Sequence, residues 1–240
     1  MPHRPRSRYA ATCLLAALAS TACVGSADNS HAADSTTTTI ATTTRPLERD
    51  SFDRAAREVT LRVRNTSCVE LATGSGVSLG DGKVVTNHHV VDGADTLELS
   101  TWDGRDISAT VASATTINDL AVIQIPTTNL PDPEIRTTKV RDGEAIHVVG
   151  YPKGGALRID DGTVVDYTGG RQFEERGSIL RADVRIEPGN SGGPALDDRG
   201  RLVGIVFAEE VATGYALIVP VTSLLAIPDG DFAPVDGTCR

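Results

Sequence analysis

From residue 59 onward, short apolar runs alternate with turn residues at close spacing. Val59–Arg64 reads Val-Thr-Leu-Arg-Val-Arg, the period-two pattern of a half-buried strand. Val77–Leu79 and Lys83–Thr86 flank Gly80-Asp81-Gly82, a hairpin signal. Thr96–Leu99, Ile107–Val111 and Leu120–Ile125 follow, and then the polar, proline-bearing stretch Thr127–Thr138 interrupts. A second series runs through Ala145–Val149, Thr163–Val165, Ile179–Leu180 with Val184, Leu202–Phe207 and Tyr215–Val219. Asp197–Gly200 is a turn between two of these strands. Only Val221–Ile227 reads as helix, and Pro228 stops it. No long amphipathic helix is visible. Two successive strand groups of similar size predict an all-β fold of two packed antiparallel β-barrels with a short C-terminal helix. Barrel one spans about 55–130 and barrel two about 139–228. One large β-sandwich is the alternative.

Composition adds a compartment to this picture. The 240 residues include 23 glycines but one Met, one Trp and four Phe, and 40% are hydrophobic, enough for a packed core. The formal charge is −9 with no basic cluster outside the N-terminus, so nucleic acid is not an expected partner. Residues 1–22 read as an export leader. Arg4, Arg6 and Arg8 precede the apolar run Tyr9–Ala19, and the small residues Ser20, Thr21 and Ala22 lead to Cys23. The run is too short to span a bilayer. Its removal with the three arginines takes the charge from −9 to −12.

Two products fit this leader. Leu18–Cys23 resembles a bacterial lipoprotein cleavage site, where Cys23 is lipidated and holds the chain at the membrane of the cell envelope; Ser20 departs from the usual branched aliphatic residue. Ordinary cleavage after small residues gives a secreted, soluble chain. Residues 23–50, rich in Ser, Thr, Ala and Asp, lack the apolar content to fold and read as a disordered tether ahead of a domain at 51–240. Cys13 leaves with the leader and Cys23 stands at the cut. Cys68 and Cys239 remain as an even pair in an oxidising compartment, which predicts a disulfide. It would close a loop of 171 residues, for which chain entropy allows up to about 5 kcal/mol. Two unpaired thiols are the alternative.

The candidate chemistry lies in Gly189-Asn190-Ser191-Gly192-Gly193-Pro194. A serine in a glycine-rich turn exposes its hydroxyl beside bare backbone N–H groups, as acyl transfer requires. A plain hairpin turn is the bland alternative. Because a serine hydroxyl is a weak nucleophile, it needs a base, and the base needs an orienting carboxylate. The apolar run ending in His88-His89 offers the first. Asp119, at the head of Leu120-Ala121-Val122, offers the second, since a buried carboxylate is costly unless paired. Only one of two adjacent histidines faces a given side, so His88 and His89 are rivals. His147, inside an apolar strand, reads as a packed core residue. No metal-ligand cluster or phosphate loop is visible, so no metal or cofactor is expected.

Thr86–Val90, Asn118–Val122, Gly150-Tyr151-Pro152, Gly189–Pro194 and Leu202–Val206 occur in that order. With these motifs the chain resembles the chymotrypsin-like (trypsin-like) serine proteases over roughly residues 55–225, and in particular the bacterial HtrA/Deg branch and its exported actinobacterial relatives. Asp119 follows His89 by 30 residues and Ser191 follows Asp119 by 72, as in that family. The resemblance implies two packed six-stranded barrels and a serine-type endopeptidase that cuts protein or peptide substrates through an acyl-enzyme. It implies Ser191 as nucleophile, His89 (the histidine before the Val) as base, Asp119 as its orienting carboxylate, and the N–H groups of Gly189 and Ser191 as oxyanion hole. Asn190 stands where many digestive members carry an Asp that binds a newly cut N-terminus. Activation by that ion pair is therefore not expected, and substrate-induced ordering of loops is the remaining switch.

About a dozen residues follow Pro228, too few for the PDZ domain typical of the HtrA branch, so no PDZ partner is expected. The resemblance places Arg185 and Ile186 near the floor of the substrate pocket. It places Phe207, Ala208 and Glu209 along the wall and Ala216 on the facing strand. With no acidic residue at the floor, a small or medium apolar side chain is the expected substrate, and an inward Arg185 would favour an acidic one. Glu209 and Glu210 also fit a solvated edge. Two other functions stay open: an esterase with the same triad, and a catalytically silent, protease-fold module of the cell envelope that binds peptides.

Overall fold

The computed structural model describes residues 46–67, 70–109, 111–115, 117–126, 129–169 and 178–235. Cys23, Cys68, Cys239, the expected leader and the expected tether up to residue 45 lie outside the described residues, and with them the lipidation and disulfide expectations. No helix among the described residues is long and apolar enough to cross a membrane.

Residues 46–50, which composition assigned to the tether, are part of the folded structure. The Leu47 N–H donates to the Asp198 carbonyl at 3.0 Å, and helix α1 (Arg49–Val59) follows at once. Residues 46–50 therefore depart from the expected tether, and a helix stands where the sequence pattern offered none. Its cause is local. Phe52, Ala56 and Val59 recur at helical spacing and are all buried, while Arg54 and Arg57 between them are exposed. The dense charge hides this stripe from a composition reading. The strand expected from Val59 starts one residue later, at Thr60.

The first half of the fold is one curled antiparallel sheet. It contains β1 (Thr60–Thr66), β2 (Leu71–Ser78), β3 (Lys83–Asn87), β4 (Thr96–Ser100), β5 (Asp106–Ser108), β6 (Val111–Thr115) and β7 (Leu120–Gln124), with the short helix α2 (His88–Val91) after β3. The second half contains β8 (Ala145–Gly150), β9 (Arg158–Thr168), β10 (Ile179–Asp183), β11 (Pro194–Leu196), β12 (Leu202–Glu209) and β13 (Ala216–Pro220), then α3 (Val221–Leu225). These six strands close into a barrel in the order β10-β13-β12-β11-β8-β9.

The first sheet departs from the expected six-stranded barrel. A final strand, β14 (Ala233–Pro234), returns from the C-terminal side and pairs with β6. Among the described residues the sheet so has eight strands in the order β14-β6-β7-β3-β2-β1-β4-β5 and is open. Its edges suit that state: Pro234 has no N–H to offer a further strand, and β5 is only three residues long.

Each half has its own core. Leu61, Val63, Val84, Leu99, Ala121 and Ile123 fill the first, and Ile146, Val148, Leu180, Val206 and Ile218 fill the second. A third cluster joins them, with Val77, Val85 and Leu120 from the sheet, Val149, Leu202 and Ile205 from the barrel, and Phe52, Ala56 and Val59 from α1. The helix thus plugs the seam between the halves. His147 is buried, as expected of a core residue, but in a polar setting. Its ring packs on Phe52, and its two nitrogens lie 2.7 Å from Asp161 and 2.9 Å from Asp198. Arg49 also binds Asp161, at 3.0 Å, so α1 is pinned to the barrel by charge as well as by apolar contact.

Candidate active site

Antiparallel pairing brings the first two site residues together. β3 pairs with β7 so that Asn87 faces Leu120 across the ladder, and each candidate residue lies just beyond that pair. His89 follows on α2. Asp119 closes a single helical turn, Ile117–Asp119, in which Asn118 and Asp119 both have left-handed backbone (φ 59° and 54°). That conformation is costly for non-glycine residues and persists only where its surroundings impose it. Here it folds the carboxylate back under α2. His89 Nδ1 donates to Asp119 Oδ2 at 2.6 Å, and the His89 N–H donates to Oδ1 at 3.1 Å. The Asn87 amide holds the Asp119 carbonyl at 3.1 Å. A carboxylate only accepts, so the ring carries its hydrogen on Nδ1 and leaves Nε2 as the basic atom when neutral. His88 points elsewhere, with Nε2 3.9 Å from Asp92. Of the two rivals, it is His89 that the fold joins to Asp119.

Ser191 lies on the loop entering β11 in the other half. The turn around it demands glycine. Gly189 (φ 103°) and Gly192 (φ 84°) are left-handed, and a side chain at either would collide with backbone carbonyls, of Tyr151 and of Ser75 respectively. The loop is pressed against the first sheet at Gly74, where an added Cβ would lie 2.6 Å from Val90 and 3.1 Å from the Ser191 carbonyl. That contact brings the serine turn beside the residue that follows His89. The Ser191 hydroxyl donates to the Phe207 carbonyl at a long 3.4 Å. Among the described residues no hydrogen bond joins it to His89.

Two N–H groups of this turn are left without acceptors. Asn190 N–H is used by the Glu187 carbonyl, Gly192 N–H by Val206 and Gly193 N–H by Asn190. Lys153 N–H holds the Pro188 carbonyl at 2.6 Å. In a trans peptide the N–H points away from the C=O, so the Gly189 N–H faces away from Lys153. Among the described residues neither it nor the Ser191 N–H has an acceptor.

The expected pocket residues divide. Arg185, Ile186 and Glu209 line a cavity of about 560 Å³ together with Asp183, Glu187 and Pro188. Ala216 is fully buried in the second core, and Phe207 and Ala208 are half-buried against the central cluster; none of these three lines that cavity. Arg185 turns outward, 78% exposed, with its guanidinium 3.5 Å from Glu187. Lys153 at 2.6 Å and Arg158 at 2.9 Å pull the Glu187 carboxyl down to about 2. Among the described residues no group of His, Cys, Asp and Glu side chains is arranged to hold a metal ion.

Residues 74–205 match the trypsin-like peptidase domain. The chain belongs to that family. A putative serine protease of Synechocystis, HhoB, is 33% identical over 68% of this chain and 41% of its own length. The serine protease Do-like HtrA of Bacillus subtilis is 32% identical over 69% and 39%. The chain thus spans about two fifths of the length of these relatives. The active form of the Rv3671c protease of M. tuberculosis covers 77% of this chain and 89% of its own, with a TM-score of 0.67 at 22% identity, a likeness in fold. Within the trypsin-like family the site also uses residues that sequence reasoning passed over. Ser75, in the Gly74-Ser75-Gly76 stretch of β2, and Asn87, beside His88, both carry hydrogen bonds to the site. Their neighbours were the only signal.

Proposed function

We propose that the chain is an exported serine endopeptidase that hydrolyses peptide bonds through Ser191, His89 and Asp119. The observation that carries this reading is the 2.6 Å bond from His89 Nδ1 to Asp119, across from a glycine-built serine turn with two N–H groups to spare. Asp119 fixes the imidazole tautomer and stabilises the ring when it becomes positive. Nε2 takes the Ser191 proton as Oγ attacks the substrate carbonyl carbon. The oxyanion that forms is met by the N–H groups of Gly189 and Ser191. His89 then returns the proton to the leaving amine, an acyl-enzyme remains on Oγ, and water, deprotonated by the same nitrogen, releases the acid. For the first step the Ser191 hydroxyl has to turn from the Phe207 carbonyl towards His89. The outward Arg185 supports an apolar over an acidic preference. The leader and Cys23 support export, with lipid anchoring or release as its two outcomes.

A second reading is favoured by one observation. Because the Ser191 hydroxyl rests on Phe207, a silent module that binds peptides without cutting them has the same resting form. Incubation with an unfolded protein such as reduced, alkylated casein separates the two. The endopeptidase reading expects fragments from the wild type and none from Ser191→Ala. Binding without cleavage by the wild type overturns it.

A further inference from the structure

The serine turn is not held by its own side chains. Asn190 is buried, and neither atom of its amide has a hydrogen-bond partner among the described residues. Ser75 holds the turn from the other half of the molecule. Fully buried on β2, its hydroxyl donates to the Gly189 carbonyl at 2.7 Å and accepts from the Tyr151 N–H at 2.9 Å. The Ser75 N–H donates to the Ser191 carbonyl at 2.8 Å, and the Thr86 hydroxyl donates to the Ser75 carbonyl at 2.7 Å.

Glycine at 189 supplies the left-handed backbone but also the freedom to leave it. Two carbonyl anchors remove that freedom. Lys153 fixes the peptide before Gly189, and the Ser75 hydroxyl fixes the peptide after it. The Gly189 N–H lies in the first of these planes, and the second holds the Cα about which that plane would otherwise turn. We propose that Ser75 is a positioning residue for the reaction, aiming the Gly189 N–H at the oxyanion and transmitting the seating of the first sheet to the serine turn. The proposal rests on the reading of Ser191 and Gly189 given above. A donor acts on the transition state only if it is already aimed, and a misplacement of about 1 Å costs on the order of 100-fold.

Ser75→Ala removes the hydroxyl and keeps the N–H that holds Ser191. The kcat for peptide hydrolysis is expected to fall about 10- to 100-fold with KM within about twofold, because an interaction made only in the transition state is lost. Affinity for a peptide boronate, which seats an oxygen between the same donors, is expected to fall in parallel. Binding of uncut peptide by Ser191→Ala and by Ser75→Ala/Ser191→Ala is expected to be equal. Thr86→Val loosens the Ser75 carbonyl and keeps the hydroxyl. It should show a smaller loss of the same kind, and it decides the matter if Ser75→Ala does not fold. A folded Ser75→Ala with wild-type kcat and boronate affinity overturns the proposal, as does a loss confined to KM or an unchanged kcat in Thr86→Val. A wild type that does not bind the boronate overturns the underlying reading of Ser191, whereas a binding wild type with an indifferent Ser75→Ala overturns only the role of Ser75.

Discussion

His89 and Asp119 stand on one sheet and are bonded directly, whereas Ser191 stands on the barrel and, among the described residues, is bonded to neither of them. The first pair is held by its own side chains and by the adjacent strands β3 and β7. The serine turn is held by backbone carbonyls and by Ser75, which is 114 residues away in sequence. A His–Asp pair formed within one sheet is bonded without a contact from the other half. A turn made of glycines takes its shape only from what packs on it. The difference implies that the serine side is the adjustable half, and that damage to the two halves should look different.

The largest effects should come from the chemistry itself. Ser191→Ala and Asp119→Asn are each expected to lower kcat by about 10⁴-fold or more, and the double variant to be no worse than the poorer single, because the three groups act as a unit. Steady-state hydrolysis of one peptide substrate checks all three. Additive losses would break the view that the halves work together.

Gly189→Ala tests the serine half alone. A Cβ there meets the Tyr151 carbonyl in a left-handed backbone, so the N–H must move. A loss of about 10²- to 10³-fold in kcat is expected, the scale for losing an oxyanion donor. The low-field NMR signal of the His89 Nδ1 proton should remain. Its disappearance would show that the halves are not separable.

Acid should weaken the barrel side through its ion pairs. Arg136, then Arg141, hold Glu144 at about 2, and Lys153, then Arg158, hold Glu187 at about 2. A depressed carboxyl stabilises the fold fully above its ordinary value of 4.5, and that contribution drains away as pH falls towards 2. The melting temperature should therefore drop between those limits, and Glu144→Gln should flatten the drop. The smallest effect is expected of His88→Ala, within about twofold of wild-type kcat, the ordinary scale for a residue outside the reacting set. A large loss there would reassign the base.

Legibility followed local signals in either half, not the way each half is held. Asp119 before an apolar strand, a histidine pair after another and a serine in a glycine turn are local signals with chemical meaning. Strands at 120–125, 145–149 and 202–207 were visible because their burial is nearly continuous. α1 was missed because charges outnumber its three buried residues. β14 was missed because two residues, one of them proline, carry no period at all. Ser75 looked like any small strand residue; its meaning arises only when the barrel docks on it.

The most direct measurement is the mass of the intact protein and of its Ser191 peptide after exposure to a fluorophosphonate. One phosphonyl adduct is expected, on Ser191, absent in Ser191→Ala and strongly slowed in His89→Ala. No adduct on the folded wild type, or an adduct that persists in Ser191→Ala, would contradict it.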